Sequence, residues 1–526
     1  MKFIVEHKYI LLPVNADASL KKICLFENNE LLFDFDCRVD ALTPNFTAYV
    51  DVSRFMGKTV ELAISPQMDF GLRFSDEKEL AGLWQEPRRP KIHFTVQNGY
   101  NNDPNGLIYH KGTYHMFYQH NPCAAKWGNM HWGHAESADL LHWEEKDCAL
   151  FPDETGTMFS GSAIADTFDR SGLKQGEPAM LLFYTAAGDE NLLSKGKRFT
   201  QCLAYSVDDG KTFEKYAANP VIDFICDKNR DPKVVWVEEI ERYILALYLS
   251  GDEYQMFSSE DLLHWRPFQA LHLPGDSECP DIYPLVCDGE KKWILSGASD
   301  HYVVGHFEKD RFCLDSAECQ ALTYSSVSYA AQSFSGLKDG RIVRIAWDRN
   351  WTRFLDARFS QQMGFPVEMH LEKSGGRYYL AALPIAEIAC LFGKELCLQN
   401  QTAAEAVRWE VGAGALYICL QAPYAPNAMI EITVFDAKIV IDTRQNKLKF
   451  GDREMPLSVS CERIDVRLLV DTCSIEFFAD QGKFCMTEWH IQDFNLPYVE
   501  IKTSGEAVLE RFSCRQLKSI HEEKSR

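Results

Sequence analysis

Short runs in which apolar and polar residues alternate mark strand after strand along this chain. Phe33, Phe35, Cys37 and Val39 alternate with Asp34, Asp36, Arg38 and Asp40, the period of two of a half-buried β-strand. Tyr49-Val50-Asp51-Val52 and Val60-Glu61-Leu62-Ala63-Ile64 read as further strands, separated by the turn residues Met56-Gly57-Lys58. Together they predict a small β domain over residues 1–85. Glu86-Pro87-Arg88-Arg89-Pro90 closes it, because two prolines so close interrupt regular structure. Plain alternation returns over residues 395–515, where Val466-Arg467-Leu468-Leu469-Val470-Asp471 and Ser474-Ile475-Glu476-Phe477-Phe478 flank turns such as Asp480-Gln481-Gly482. That pattern predicts a β-sandwich. The polar residues 521–526 are expected to fray.

Between these two parts, over residues 88–385, the pattern repeats itself. Ser137-Ala138-Asp139-Leu140-Leu141-His142-Trp143 returns as Ser259-Glu260-Asp261-Leu262-Leu263-His264-Trp265, with a looser copy at Ser206-Val207-Asp208-Asp209-Gly210-Lys211-Thr212-Phe213. In each, an Asp (139, 209 or 261) precedes the aromatic by four residues, and the aromatics lie 70 and 52 residues apart. A weaker copy ends at Phe312. Units of about fifty residues, rich in short β-runs and turns, predict the blades of a β-propeller. Polar motifs at Asp103, Ser160-Gly161-Ser162, Asp231, Glu278 and Gln332 recur at separations near 59, 69, 47 and 54. Five blades are therefore expected, each giving its innermost strand to a central funnel; a solenoid or a pair of sandwiches is the alternative. The expected fold class is all-β: a five-bladed β-propeller, then a C-terminal β-sandwich, with a small N-terminal β domain.

The bulk composition narrows the partners. With 55 Lys and Arg against 76 Asp and Glu, the formal charge of −21 disfavours nucleic acid and anionic membrane surfaces, both of which select a basic face. No run of about eighteen apolar residues is present to span a membrane. Seventeen cysteines without a CxxC pair fit a reducing compartment, and Glu6 and His7 interrupt what would be the apolar core of a signal peptide. A cytoplasmic protein is expected. Self-association into a homo-oligomer is left open.

The chemistry concentrates in one stretch. Asn102-Asp103-Pro104-Asn105-Gly106 is succeeded by Phe117-Tyr118-Gln119-His120-Asn121-Pro122 and Trp127-Gly128-Asn129-Met130-His131-Trp132-Gly133-His134. Carboxylate, carboxamides and flat aromatics together suit a sugar, whose hydroxyls take paired hydrogen bonds and whose C–H faces lie on rings. Three acidic residues sit in comparable settings: Asp103 before Pro104, Asp231 between Arg230 and Pro232, and Glu278 before Cys279-Pro280. Each alone suits a turn; three at one repeat spacing are expected to converge on the propeller axis. Retaining glycoside hydrolysis needs a nucleophilic carboxylate and an acid/base carboxyl about 5 Å apart. His115, His120, His131, His134 and His142 form no HExxH motif and are read as hydrogen-bonding residues, with no metal and no cofactor expected.

These residues resemble glycoside hydrolase family 32, in particular its levanase-like bacterial β-fructofuranosidases. The resemblance rests on Asn102-Asp103-Pro104-Asn105-Gly106, Phe159-Ser160-Gly161-Ser162, Arg230-Asp231-Pro232, Glu278-Cys279-Pro280, Tyr329-Ala330-Ala331-Gln332 and Ile345-Ala346-Trp347, with Leu469-Val470-Asp471 and Ser474-Ile475-Glu476 in the sandwich. It implies a retaining exo-β-fructosidase acting on sucrose, fructo-oligosaccharides or fructans. Asp103 would be the nucleophile, Glu278 the acid/base and Asp231 the transition-state stabiliser. Asn102, Gln119, Trp127, Phe159, Ser160 and Arg230 would contact the fructosyl unit, with Trp347 on the opposite wall. A fructosyltransferase using the same intermediate, or a non-catalytic fructan-binding protein, are the alternatives. Tyr100 replaces the usual Trp, and Asp348 the usual Met, where it is expected to place a charge near the funnel rim. Glu278 is expected to have its pKa raised by the neighbouring anions.

Overall fold

The computed structural model describes residues 1–68, 70–350 and 358–521. The expected fraying of residues 522–526 lies outside the described residues. The chain is nearly all β; the helical turns among the described residues are four short 3-10 segments.

The alternating segments near the N-terminus form two small sheets. The larger joins Lys2–Ile4, Thr59–Ser65, Lys21–Glu27 and Glu30–Cys37, and the smaller joins Phe46–Asp51, Tyr9–Val14 and Arg73–Ser75. Phe33, Phe35 and Cys37 point into the core between them. The proline-rich boundary is pinned to the central part of the chain: Arg89 is fully buried, donates to the Val96 carbonyl at 2.7 Å and lies 3.9 Å over the Phe359 ring.

The central part is a β-propeller. Five successive sheets each lead with an inner strand, namely Gly99–His110, Thr157–Ala165, Arg230–Val237, Asp281–Cys287 and Ser328–Ser333. Each inner strand packs beside the next, and the last returns to the first. The ring closes through residues near 360, where Phe359 pairs with Gly99 in the first sheet and Met363 with Trp347 in the last. The repeated Ser-x-Asp motif is the turn between the third and fourth strands of the first three sheets. Ser137 and Ser259 donate to Asp139 and Asp261, whose carboxylates cap the backbone N–H groups of Leu141, His142, Leu263 and His264. In the looser copy the capping residue is Asp208, which accepts from Ser206, Lys211 and Thr212. This corrects the sequence alignment on Asp209: the turn is one residue longer, and the serine partner identifies the equivalent aspartate.

The C-terminal part is a sandwich of two six-stranded sheets. Arg463–Val470 pairs with Ser474–Ala479, and Ile464, Val466, Leu468, Ile475 and Phe477 meet Ile430, Ile432, Ile439 and Ile441 of the opposite sheet. The sandwich is fastened to the propeller by Asp471, whose buried carboxylate accepts from the Lys91 and Ile92 N–H groups and pairs with His93 at 2.7 Å. All seventeen cysteines are free. No helix among the described residues is long and apolar enough to cross a membrane.

Candidate active site

Asp103 and Asp231 sit where their inner strands break regular pairing, and Glu278 lies in the turn just before its inner strand. Register shifts fall between Asn101 and Pro104, Phe159 and Gly161, Arg230 and Lys233, and Tyr329 and Gln332. A bulge of this kind re-aims a side chain that the pleat would otherwise point into the space between sheets. Asp231 and Glu278 have φ of 67° and 60°, left-handed conformations that non-glycine residues adopt only when their surroundings hold them there. Asp103, Asp231 and Glu278 are thereby turned into one funnel of about 380 Å³, together with Asn102, Gln119, Trp127, Phe159, Ser160, Arg230 and Trp347.

Each group has a defined partner. Ser160 donates its hydroxyl to Asp103 Oδ2 at 2.6 Å. Arg230 pairs with Glu278 Oε1 and lies 3.7 Å from Asp231 Oδ2. Gln119 is held by the Met158 carbonyl at 2.7 Å. Trp347 meets Tyr100 edge-on with ring centroids 6.4 Å apart, so the tyrosine in the usual Trp position still packs as an aromatic wall. Trp127 lies at the mouth, 54% exposed, with its ring against Phe159.

Two contacts were not recognised in the sequence. Tyr329 donates its hydroxyl to Glu278 Oε2 at 2.5 Å. Cys279 bridges the other two carboxylates, its Sγ 3.6 Å from Asp103 Oδ2 and 3.4 Å from Asp231 Oδ2, while its N–H donates to Asp231 at 3.0 Å. Both lie in motifs already singled out, but their roles depend on which way bulged residues turn.

The electrostatics differ from expectation. Glu278 is held below the ordinary glutamate value: burial alone would raise it, but the Arg230 guanidinium and the Tyr329 hydroxyl stabilise its anion more strongly. Its neighbours carry the upward shift instead. Burial raises Asp103 against the opposing Ser160 hydrogen bond, and burial pushes Asp231 up to about 7 despite Arg230, helped by the charges of Asp103 and Glu278. Burial and mutual repulsion in one desolvated funnel therefore favour a proton shared by the three carboxylates toward neutrality, with the largest upward shift on Asp231.

Asp348 is also corrected. It is 1% exposed and points away from the funnel into the seam between propeller and sandwich, beside Glu476 and His93. The strand alternation that turns Trp347 into the funnel turns the next residue away from it. Gln362 donates to its Oδ2 at 3.0 Å, whereas its Oδ1 has no hydrogen-bond partner among the described residues. Burial, then repulsion from Glu476, raises its pKa from 3.8 to about 7. The folded protein thus holds a proton on Asp348 that the unfolded chain releases, and this stabilisation disappears as pH rises from 3.8 to about 7. Asp348→Asn is expected to raise Tm by a few degrees at about pH 8 and by much less at about pH 5. Thermal unfolding at the two pH values checks this; an equal shift at both would contradict it.

The histidines are structural. Burial keeps His131 and His134 neutral, and His120 binds the Tyr100 carbonyl at 2.9 Å. Among the described residues, clusters with metal-ligand spacing are His115–His134–Glu136, His306–Glu308–Cys313 and His93–Asp348–Glu476, and none includes a funnel carboxylate.

Residues 93–382 match the model of the glycosyl hydrolases family 32 N-terminal domain, and residues 429–508 match that of the family 32 C-terminal domain. The chain belongs to glycosyl hydrolase family 32. The levanase of Bacillus subtilis (strain 168) is 30% identical over 85% of this chain and 73% of its own length. Two solved structures share the fold at 24% identity. The exo-inulinase of Aspergillus awamori has a TM-score of 0.74 over 83% of this chain and 99% of its own. The fructofuranosidase of Schwanniomyces occidentalis complexed with fructose has a TM-score of 0.73 over 83% and 99%. As a family 32 member the chain is a glycoside hydrolase acting on fructosides.

Proposed function

We propose that the chain is a retaining, exo-acting β-fructosidase that releases terminal fructose from sucrose, fructo-oligosaccharides or fructans. The observation that carries this reading is the convergence of Asp103 and Asp231, from bulges in two inner strands, and Glu278, from the turn that leads into a third, on one funnel. The levanase relative and the fructose complex of a structural relative support the choice of sugar.

In this reading Asp103, oriented by Ser160, attacks C2 of the fructosyl unit while Glu278 donates its proton to the leaving oxygen. The C2–O bond breaks and the aglycone departs as a neutral alcohol. Asp231 and Arg230 hold the ring hydroxyls, and the Asp231 anion stabilises the positive charge that builds on the ring. Glu278, now a carboxylate, takes a proton from water, which attacks C2 and frees Asp103; two inversions give retention.

The position of the proton supplies a mechanism for starting this cycle. Sugar hydroxyls that donate to Asp231 favour its anion, so binding lowers the Asp231 pKa and transfers the shared proton to Glu278, where the leaving oxygen accepts it. Above about pH 7 the free enzyme has lost that proton, and kcat/KM is expected to fall as pH rises beyond neutrality. A kcat/KM profile flat from neutrality to about pH 9 would contradict it. The activity is tested by measuring fructose released from sucrose, kestose, inulin and levan.

A further inference from the structure

The alternating run Phe33–Val39 that opens the sequence pattern has a second role beyond filling the N-terminal core. Its strand, Glu30–Cys37, lies at the edge of its sheet. The unpaired side of an edge strand offers backbone groups to whatever lies beside it, and here it lies against two propeller loops that form the funnel mouth.

The first loop, residues 122–130, carries Trp127. The Asn129 side chain binds this edge as a strand would, accepting from the Asp36 N–H at 2.8 Å and donating to the Asp36 carbonyl at 2.7 Å. Cys37 donates its thiol to the Cys123 carbonyl at 3.2 Å. Cys123 and Ala125 are buried in the apolar core of the N-terminal domain rather than in that of the propeller. Asn121, the last residue of the strand before the loop, donates to the Lys126 carbonyl at 2.7 Å and so fixes the residue before Trp127.

The second loop, residues 188–199, carries Glu190 and Phe199, which line the same funnel. Asp34 sits on the polar face of the strand, yet it is only 2% exposed. Its carboxylate accepts from the Leu192 N–H at 3.0 Å and the Leu193 N–H at 3.2 Å, with Lys22 3.2 Å away on the other side. A buried carboxylate spent on two loop amides is a strong local restraint, since hydrogen bonds to a charged group exceed neutral ones.

We propose that the N-terminal domain positions the two mouth loops and thereby sets which sugars are accepted beyond the terminal fructosyl unit, with Asp34 and Asn129 as the positioning residues. The inference rests on the β-fructosidase reading. None of the three funnel carboxylates is touched by these contacts, so the chemistry at C2 does not depend on them. Glu190 lines the same funnel, and Trp127, besides any contact with the fructosyl unit, keeps an outer ring face 54% exposed at the mouth; an aromatic face with a carboxylate suits the next sugar ring and its hydroxyls.

The test compares a fructo-oligosaccharide with methyl β-D-fructofuranoside, whose leaving group is too small to reach the mouth. In Asp34→Ala, KM for the oligosaccharide is expected to rise by about tenfold with kcat within about twofold, while both constants for the methyl glycoside stay within about twofold. Asp34→Asn, which keeps one acceptor, should fall between. Asn129→Ser cuts the other attachment from the propeller side, leaves the N-terminal domain intact, and should give the same split. Folded variants that keep the wild-type ratio of the two kcat/KM values, or that lose both substrates equally, would overturn the proposal. A wild type that releases no fructose from the methyl glycoside would overturn the activity instead.

Discussion

Asp103→Asn is expected to lower kcat for fructose release by about 10⁴-fold or more while the protein stays folded. The carboxamide is not nucleophilic, and among the described residues no other group is placed to replace it. Ser160 points its hydroxyl at Asp103 Oδ2, and Cys279 is a neutral thiol whose pKa burial drives far upward. Folding should survive because the isosteric amide still accepts from Ser160. It also relieves a desolvated charge whose burial already raises the Asp103 pKa. The variant should therefore be at least as stable as wild type, and a thermal melt beside the kinetic assay checks both halves. A residual rate within about a hundredfold of wild type would remove Asp103 from the nucleophile's role.

Glu278→Gln is expected to lower kcat by about 10² to 10⁴-fold, a smaller loss because protonation assists departure but does not form the covalent bond. It should also change the pH dependence. In wild type the falling limb above neutrality reports loss of the single proton shared by the cluster; without a carboxyl at 278 that proton no longer reaches the leaving oxygen. The limb should vanish from the variant's profile. Removing the Glu278 anion leaves Arg230 to Asp231 alone, which lowers the pKa of Asp231. A Glu278→Gln profile that keeps the wild-type limb would assign it to a group outside the cluster.

The fold was legible in the sequence wherever one face of a strand is wet and the other dry, because alternation then records burial directly. This explains why the N-terminal strands, the sandwich and the recurring turns could be read. It also explains the error at Asp209: the spacing to the aromatic is preserved while the serine cap has moved to Asp208. The site was legible as residue types, since acidic residues next to prolines at a common spacing have few structural uses. Their electrostatics were not legible. The Arg230 and Tyr329 contacts that hold Glu278 low arise from bulges and left-handed residues, which no period of two describes. Asp348 was misplaced by proximity in sequence to Trp347, although strand geometry sends adjacent side chains to opposite faces. Asp34 escaped notice for the opposite reason: it fits the polar half of an alternating strand, and only the neighbouring propeller loop reveals that the polar face is buried.

The central claim is retaining fructosyl transfer to water through this funnel, and solvolysis in aqueous methanol tests it most directly. Methanol intercepts the fructosyl enzyme, and the anomer of the methyl fructofuranoside first formed from sucrose is read by NMR. Retention predicts methyl β-D-fructofuranoside together with free fructose. The α-anomer would contradict the double displacement, and the absence of both products from a folded protein would contradict the activity.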